Sequence, residues 1–240
     1  ALADVGLGAA WPYLGRALTH SDYGGFWQLR ALAWAGLLGF TLFIGWGGPV
    51  RAALRGIAAG AVTMLFTASA TGHAGDAGAL SLPNLVNVLH VTAACLWGGG
   101  VLVYAARVLP ALRRPDIPPL TLALTATRLS TLAGAALAAV LATGVYNTWR
   151  QLPDWPSLWE SGYGRVLLIK LTAVGVMMGI GAWNRFRTVP AIETWARGPG
   201  PAAKGDPARR FLRVLRVDAV VFLLVLAGAA LLGMQTPPGH

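Results

Sequence analysis

Charge is scarce in this sequence. Of its 240 residues, 12% are charged and nine are acidic, whereas 55% are hydrophobic and the mean hydropathy is +0.58. A soluble domain carries roughly 25% charged residues, so an ordinary cytosolic enzyme is excluded. Disorder is excluded as well, because there is ample apolar surface to bury. Cysteine is nearly missing: Cys95 stands alone, which rules out a disulfide framework and any CxxC metal motif. Only two of the 19 basic residues are lysines, Lys170 and Lys204. There is no GxxxxGK[ST] loop, no HExxH, no GxSxG and no stretch for a large soluble domain, so nothing supports ATP-driven pumping by this chain alone. These absences favour a transporter or binding protein over an enzyme.

What is present is long apolar runs. A bilayer core needs about 20 mostly apolar residues per helix. Six stretches meet that length, at about 25–46, 54–72, 83–109, 121–146, 163–186 and 210–233. The expected fold is therefore all-α, a polytopic transmembrane helix bundle with six spans, preceded by an N-terminal segment over residues 1–24. The net charge of +10 would suggest nucleic acid in a soluble protein. In so apolar a chain it reads instead as basic loops facing anionic lipid, with the bilayer as partner and no nucleic acid.

The basic residues also set an orientation. The loops after the first, third and fifth spans hold 12 of the 19: Arg51 and Arg55, then Arg107, Arg113 and Arg114, then Arg185, Arg187, Arg197, Lys204, Arg209, Arg210 and Arg213. The other side holds three, Arg16, Arg150 and Arg165. The positive-inside rule places the rich side in the cytoplasm and both ends of the chain outside. Tryptophans at both borders, such as Trp27 and Trp159 outside and Trp46 and Trp183 inside, form the expected aromatic belts.

A short repeat runs through the sequence. LTHSDYGGFWQLR at 18–30 and LWESGYGRVLLIK at 158–170 align Leu18/Leu158, Ser21/Ser161, Tyr23/Tyr163, Gly24/Gly164 and Arg30/Lys170 at a constant offset of 140. Both copies sit on the same side just before a span, which is the signature of a parallel repeat. The second copy follows a span and the first does not. That difference, with a start at Ala1 lacking both Met and a cleavable signal pattern, points to N-terminal helices outside this sequence.

The polar residues inside the spans are the candidates for function, because polar groups at membrane depth are costly. His73 ends the second span in TGHAGD, and His90 lies seven residues after Pro83 in the third. A short loop joins the two spans, so they are antiparallel neighbours and both imidazoles are expected at a similar outward depth. Imidazole ligates copper, zinc, nickel and haem iron. A packing histidine is the bland reading for either alone; two on facing helices beside a Gly-rich bend favour a ligand role, with Asp76 a third donor or a solvated loop acid.

Sulfur does not join that pair by periodicity. Cys95 is about 140° around the helix from His90, and Met64 about 180° from His73. Met177, Met178 and Met234 read as core filler. Asn87, His90, Ala94 and Trp97 share one face and suggest a small pocket, with an amide to fix a tautomer and an indole for a wall. In the fifth span Tyr163, Lys170, Met177 and Asn184 form a stripe repeating every seven residues. Lys170 either snorkels outward or balances an anion such as a haem propionate. Asp218 in the sixth span and Arg128 in the fourth lie at one depth on the cytoplasmic side, which is simplest as an ion pair and otherwise as a proton or ion relay.

These motifs carry a resemblance. TGHAGD at 71–76, HVTAACLWGGG at 90–100, RLSTLAGAALAAVLATGVY at 128–146, SGYGRVLLIKL at 161–171 and VLRVDAVVFLLVLAGAALLGMQTPPG at 214–239 occur in order on successive spans. Together they resemble the copper-resistance D (CopD) family of bacterial inner-membrane proteins, from about Tyr23 to the C-terminus. The resemblance implies a CopD-like domain over residues 25–240 of a protein with about eight spans. It also implies copper movement across the inner membrane, commonly uptake, with a periplasmic copper carrier of CopC type as partner. Carried over, the copper positions are His73 and His90 with Trp97 beside them, and Asp218 stands where the family often has Glu. The low Met and Cys content departs from a multi-site copper channel. The H-x6-W-G element and the span-five lysine also look similar to HemJ-type protoporphyrinogen oxidases. In that alternative His90 and Lys170 would serve a haem-dependent oxidoreductase, or two histidines would hold a b-type haem in an electron carrier.

Overall fold

A computed structural model of the chain describes residues 15–152, 154–198 and 206–233. Every described regular element is helical, and six helices are long and apolar enough to cross a membrane: α1 (Asp22–Gly45), α2 (Val50–Ala70), α3 (Leu82–Leu112), α4 (Pro119–Gln151), α5 (Gly162–Ala196) and α6 (Pro207–Leu232). Large apolar side chains cover their outer faces, with Leu32, Trp34, Leu38, Val145 and Leu224 all exposed. Water would penalise such a surface, and a hydrocarbon solvent does not. The chain is therefore a multi-span all-α membrane protein.

It divides into two compact units, Ala1–Thr92 and Ala93–His240. In the first, α1 and α2 form a tight antiparallel pair. Ser21 caps α1, its hydroxyl accepting the Gly24 N–H at 3.0 Å. The turn out of α1 needs a left-handed residue, supplied by Gly47 at φ +85°. Phe26 and Phe66 meet edge to face with centroids 6.3 Å apart.

In the second unit, α4, α5, α6 and the later part of α3 share one core that includes Trp97, Leu109, Met177, Ile192, Phe211 and Phe222. Tyr104 donates to or accepts from Thr125 at 2.9 Å, and Thr127 donates to Glu193 at 2.6 Å, tying α4 to α3 and to α5. Arg113 pairs with Asp206 at 3.1 Å ahead of α6. In the turn before α5, Asp154 accepts the N–H and hydroxyl of Ser157 at 2.9 and 2.5 Å. The Ser157 hydroxyl first, and then its N–H, hold the Asp154 carboxyl below its ordinary range.

Two helices run further than the sequence suggests. Prolines at 110 and 190 mark natural ends, because proline lacks the N–H and crowds the preceding turn. Yet α3 continues to Leu112 and α5 to Ala196. Each proline follows a wide, five-residue π turn, Tyr104–Val108 and Asn184–Thr188, which absorbs the misfit. A third such turn, Cys95–Gly99, ends the 3.6-residue periodicity of α3 at Ala94. Trp97, expected on the face of Asn87, His90 and Ala94, lies within that wide turn.

Candidate functional site

The joint between α2 and α3 is held by side chains. Ser69 donates to the Asn84 Oδ1 at 2.6 Å, and the Asn87 amide donates back to the Ser69 hydroxyl at 2.8 Å. The Asn84 amide donates to the Ala79 carbonyl at 2.6 Å. Asn84 is fully buried and Ser69 nearly so, and every named polar atom of this seam has a partner. Asn87 thus helps to fasten the two helices together.

The candidate histidines flank this seam along the backbone. His73 opens a one-turn 3₁₀ segment, His73–Gly75, four residues past Ser69 on the turn side. Gly75 there packs on the Ala70 carbonyl, folding the turn back over the end of α2. His90 is half-buried and three residues past Asn87, about 4.5 Å away from the turn along α3. The His73 side chain lies outside the described residues, as do Met234 and the closing Pro-Pro, so the meeting of the two imidazoles stays an expectation.

Arg30 lies seven residues after Tyr23 in the first copy of the repeat. Its guanidinium donates to the Thr67 carbonyl at 2.8 Å and to the Thr71 hydroxyl at 2.9 Å. It locks α1 to α2 beside fully buried Thr67. Its counterpart Lys170 is half-buried next to Gly228 of α6 and makes no hydrogen bond or ion pair among the described residues.

A second polar cluster sits in the core of the Ala93–His240 unit. A cavity of about 240 Å³ is lined by residues of α3 to α6, among them Trp97, Met177, Met178, Asn184, Arg185 and Asp218. Asp218 and Asn184 are almost fully buried, and the Oδ1 atom of each has no hydrogen-bond partner. The Thr188 hydroxyl, at the other end of the π turn from Asn184, is buried and unpartnered too. The expected Asp218–Arg128 ion pair is not formed. Arg128 is exposed, because it lies two residues and so about 200° round α4 from buried Ala126. Arg185, which lines the cavity, gives its guanidinium to the Ser130 carbonyl and hydroxyl at 3.3 and 3.4 Å.

The sequence placed Met177 and Asn184 on one stripe, and both face this cavity. It gave no sign that Asn184, Thr188 and Asp218 would be left without partners. The one available signal was Pro190, whose neighbourhood supplies the π turn; such turns recur at functional sites. Among the described residues no group of three His, Cys, Asp or Glu side chains is arranged to hold a metal.

Comparison with known proteins fits this architecture. The family model described as CopD, copper resistance protein D, matches residues 123–232, which includes most of the cavity wall. Copper resistance protein D of Pseudomonas syringae pv. tomato is 28% identical over 232 residues, covering 94% of this chain and 72% of that protein. Copper transport protein CutJ of Bacillus subtilis (strain 168) is 31% identical over 120 residues, covering 50% of this chain and 22% of that protein. No solved structure matches the chain significantly. The resemblance to the copper-resistance D family read from the motifs is borne out by these matches.

Proposed function

From similarity to a copper resistance protein along 94% of the chain, we propose that this protein binds copper and carries it across the bacterial inner membrane, inward from the periplasm. That similarity, 28% identity along 94% of the chain, on a fold of six membrane-length helices, is the observation that carries the reading. Transport needs a site the ion can enter. His73 and His90 supply it: they flank the Ser69–Asn87 seam at the turn end of α2 and α3, and neutral imidazoles suit copper. An ion held between them would lie at the seam, with Asn87 and Ser69 as polar neighbours rather than ligands. Both chain ends and the 72–81 turn then face the periplasm, where a soluble carrier of CopC type delivers the ion.

The test is metal analysis of the purified protein with its visible spectrum. Copper in the purified protein, reduced in His90→Ala at unchanged helicity, is the expected result. A Soret band with no copper would overturn the proposal in favour of haem.

A further inference from the structure

The cavity in the Ala93–His240 unit presents an unusual combination of donors. Asp218, 2% exposed, has an unpartnered Oδ1 and no cation within ion-pair distance among the described residues. Asn184 adds a second unpartnered oxygen to the same wall. A carboxylate at membrane depth is tolerated when an opposite charge is brought to it. Arg185, the basic side chain on this wall, is engaged with Ser130. No basic side chain among the described residues is placed to balance an ionised Asp218, so a bound cation and a proton are the two ways to neutralise it.

Two thioethers indicate which charge. Met177 is 1% exposed and Met178 is partly buried, and both line the cavity that Asp218 and Asn184 line. Thioether sulfur is a soft donor that selects copper(I) over sodium, magnesium or calcium. One carboxylate and one monovalent cation sum to zero charge, which lowers the cost of holding the ion in a low-dielectric interior. The wide turn Asn184–Thr188 begins at the residue that supplies the second oxygen, and the rest of the wall is mostly apolar.

We propose that Met177, Met178 and Asp218 form an intramembrane copper(I) transit site in this cavity, with the Asn184 side-chain oxygen as an auxiliary donor. It is a second stop for the ion, distinct from the histidines, and it rests on the reading that copper is the cargo. A weak, mixed sulfur–oxygen site suits transit, since an ion that must leave again cannot be held by a full set of strong ligands.

The experiment loads the purified full chain, carrying Cys95→Ala to remove the thiol, with copper(I) against a competing chromophoric chelator. Binding stoichiometry and the copper X-ray absorption spectrum are read together. The expected result is a sulfur shell that disappears in Met177→Leu/Met178→Leu, with the loss of about one copper equivalent per chain at unchanged helicity, since Met and Leu are close in volume. Asp218→Asn keeps the sulfur shell and weakens chelator competition about tenfold or more, as loss of a charged ligand does. A double-leucine variant with unaltered stoichiometry and spectrum overturns the site. Copper held by nitrogen alone, sensitive to His90→Ala, overturns this site and leaves the proposed function standing. A chain that takes up no copper overturns both.

Discussion

Gly24 and Gly164 stand 140 positions apart and make the same contact. A Cβ on Gly24 would strike the carbonyl oxygens of Ala17 and Leu18, and one on Gly164 those of Ser157 and Leu158. Each glycine also donates its N–H to the capping serine three residues earlier, Ser21 or Ser161, at 3.0 and 2.9 Å. Each serine in turn donates to a carbonyl one turn back, Ala17 or Ser157. A short helix pressed onto the start of a spanning helix is thus built twice, with the same residues in the same places. The repeat is a repeat of local structure as well as of letters.

That close approach gives the first prediction. Alanine at either glycine must push backbone apart, because backbone carbonyls and not flexible side-chain ends occupy the space. Gly24→Ala and Gly164→Ala should each lower stability by about 1–3 kcal/mol, as overpacked sites do. The thermal midpoint in detergent reads it. Alanine at Gly25, whose added Cβ meets nothing, serves as control and should change the midpoint little.

The seam between α2 and α3 gives the second. Ser69→Ala leaves the buried Asn84 Oδ1 without its Ser69 donor and removes the Asn87–Ser69 bond. An orphaned buried polar group costs about 1–3 kcal/mol. The variant should melt earlier and expose residues 71–81 to limited proteolysis. Ser69→Thr, which keeps the hydroxyl, should recover part of the loss.

Asp218 reverses the expectation drawn from sequence. A paired carboxylate would make its replacement destabilising by about 3–5 kcal/mol. No pair is formed, so removing the charge removes a buried, uncompensated group. Asp218→Asn should therefore fold as well as the parent or melt slightly higher, while its copper translocation falls. A large drop in folded yield would show that an ion partner had been missed.

The topology supplies a fourth test. In a Cys95→Ala background, a cysteine introduced at 79 or 80 should react with a membrane-impermeant maleimide added to intact spheroplasts. A cysteine introduced at 116 or 117 should react only after the membrane is opened. The opposite pattern would invert the orientation and with it the direction of copper movement.

How much was legible in the sequence depended on which force set each feature. The six spans follow from apolar length alone, and α1, α2, α4 and α6 appear close to where the hydropathy put them. The cap-and-helix repeat was visible because serine and glycine are each required by local geometry. The extra length of α3 and α5 was hidden, because proline signals an end and only the three-dimensional chain shows a π turn absorbing it. Asp218 and Arg128 illustrate the other limit. Depth along a helix can be counted from sequence, whereas the direction each side chain faces depends on packing among helices distant in the chain. Met177 and Met178 pack in the core as filler does, and only the three-dimensional structure shows that both also border a cavity.

Copper flux through the protein itself tests the account most directly. The chain is reconstituted in liposomes enclosing a copper(I)-sensitive dye, and copper(I) is added outside under reducing conditions. The account predicts dye response above protein-free liposomes. It predicts a response lowered at limiting copper both in His90→Ala, where entry is impaired, and in Asp218→Asn, where the transit site is weakened. Flux equal to that of empty liposomes, from protein of intact helicity, would contradict copper transport by this chain.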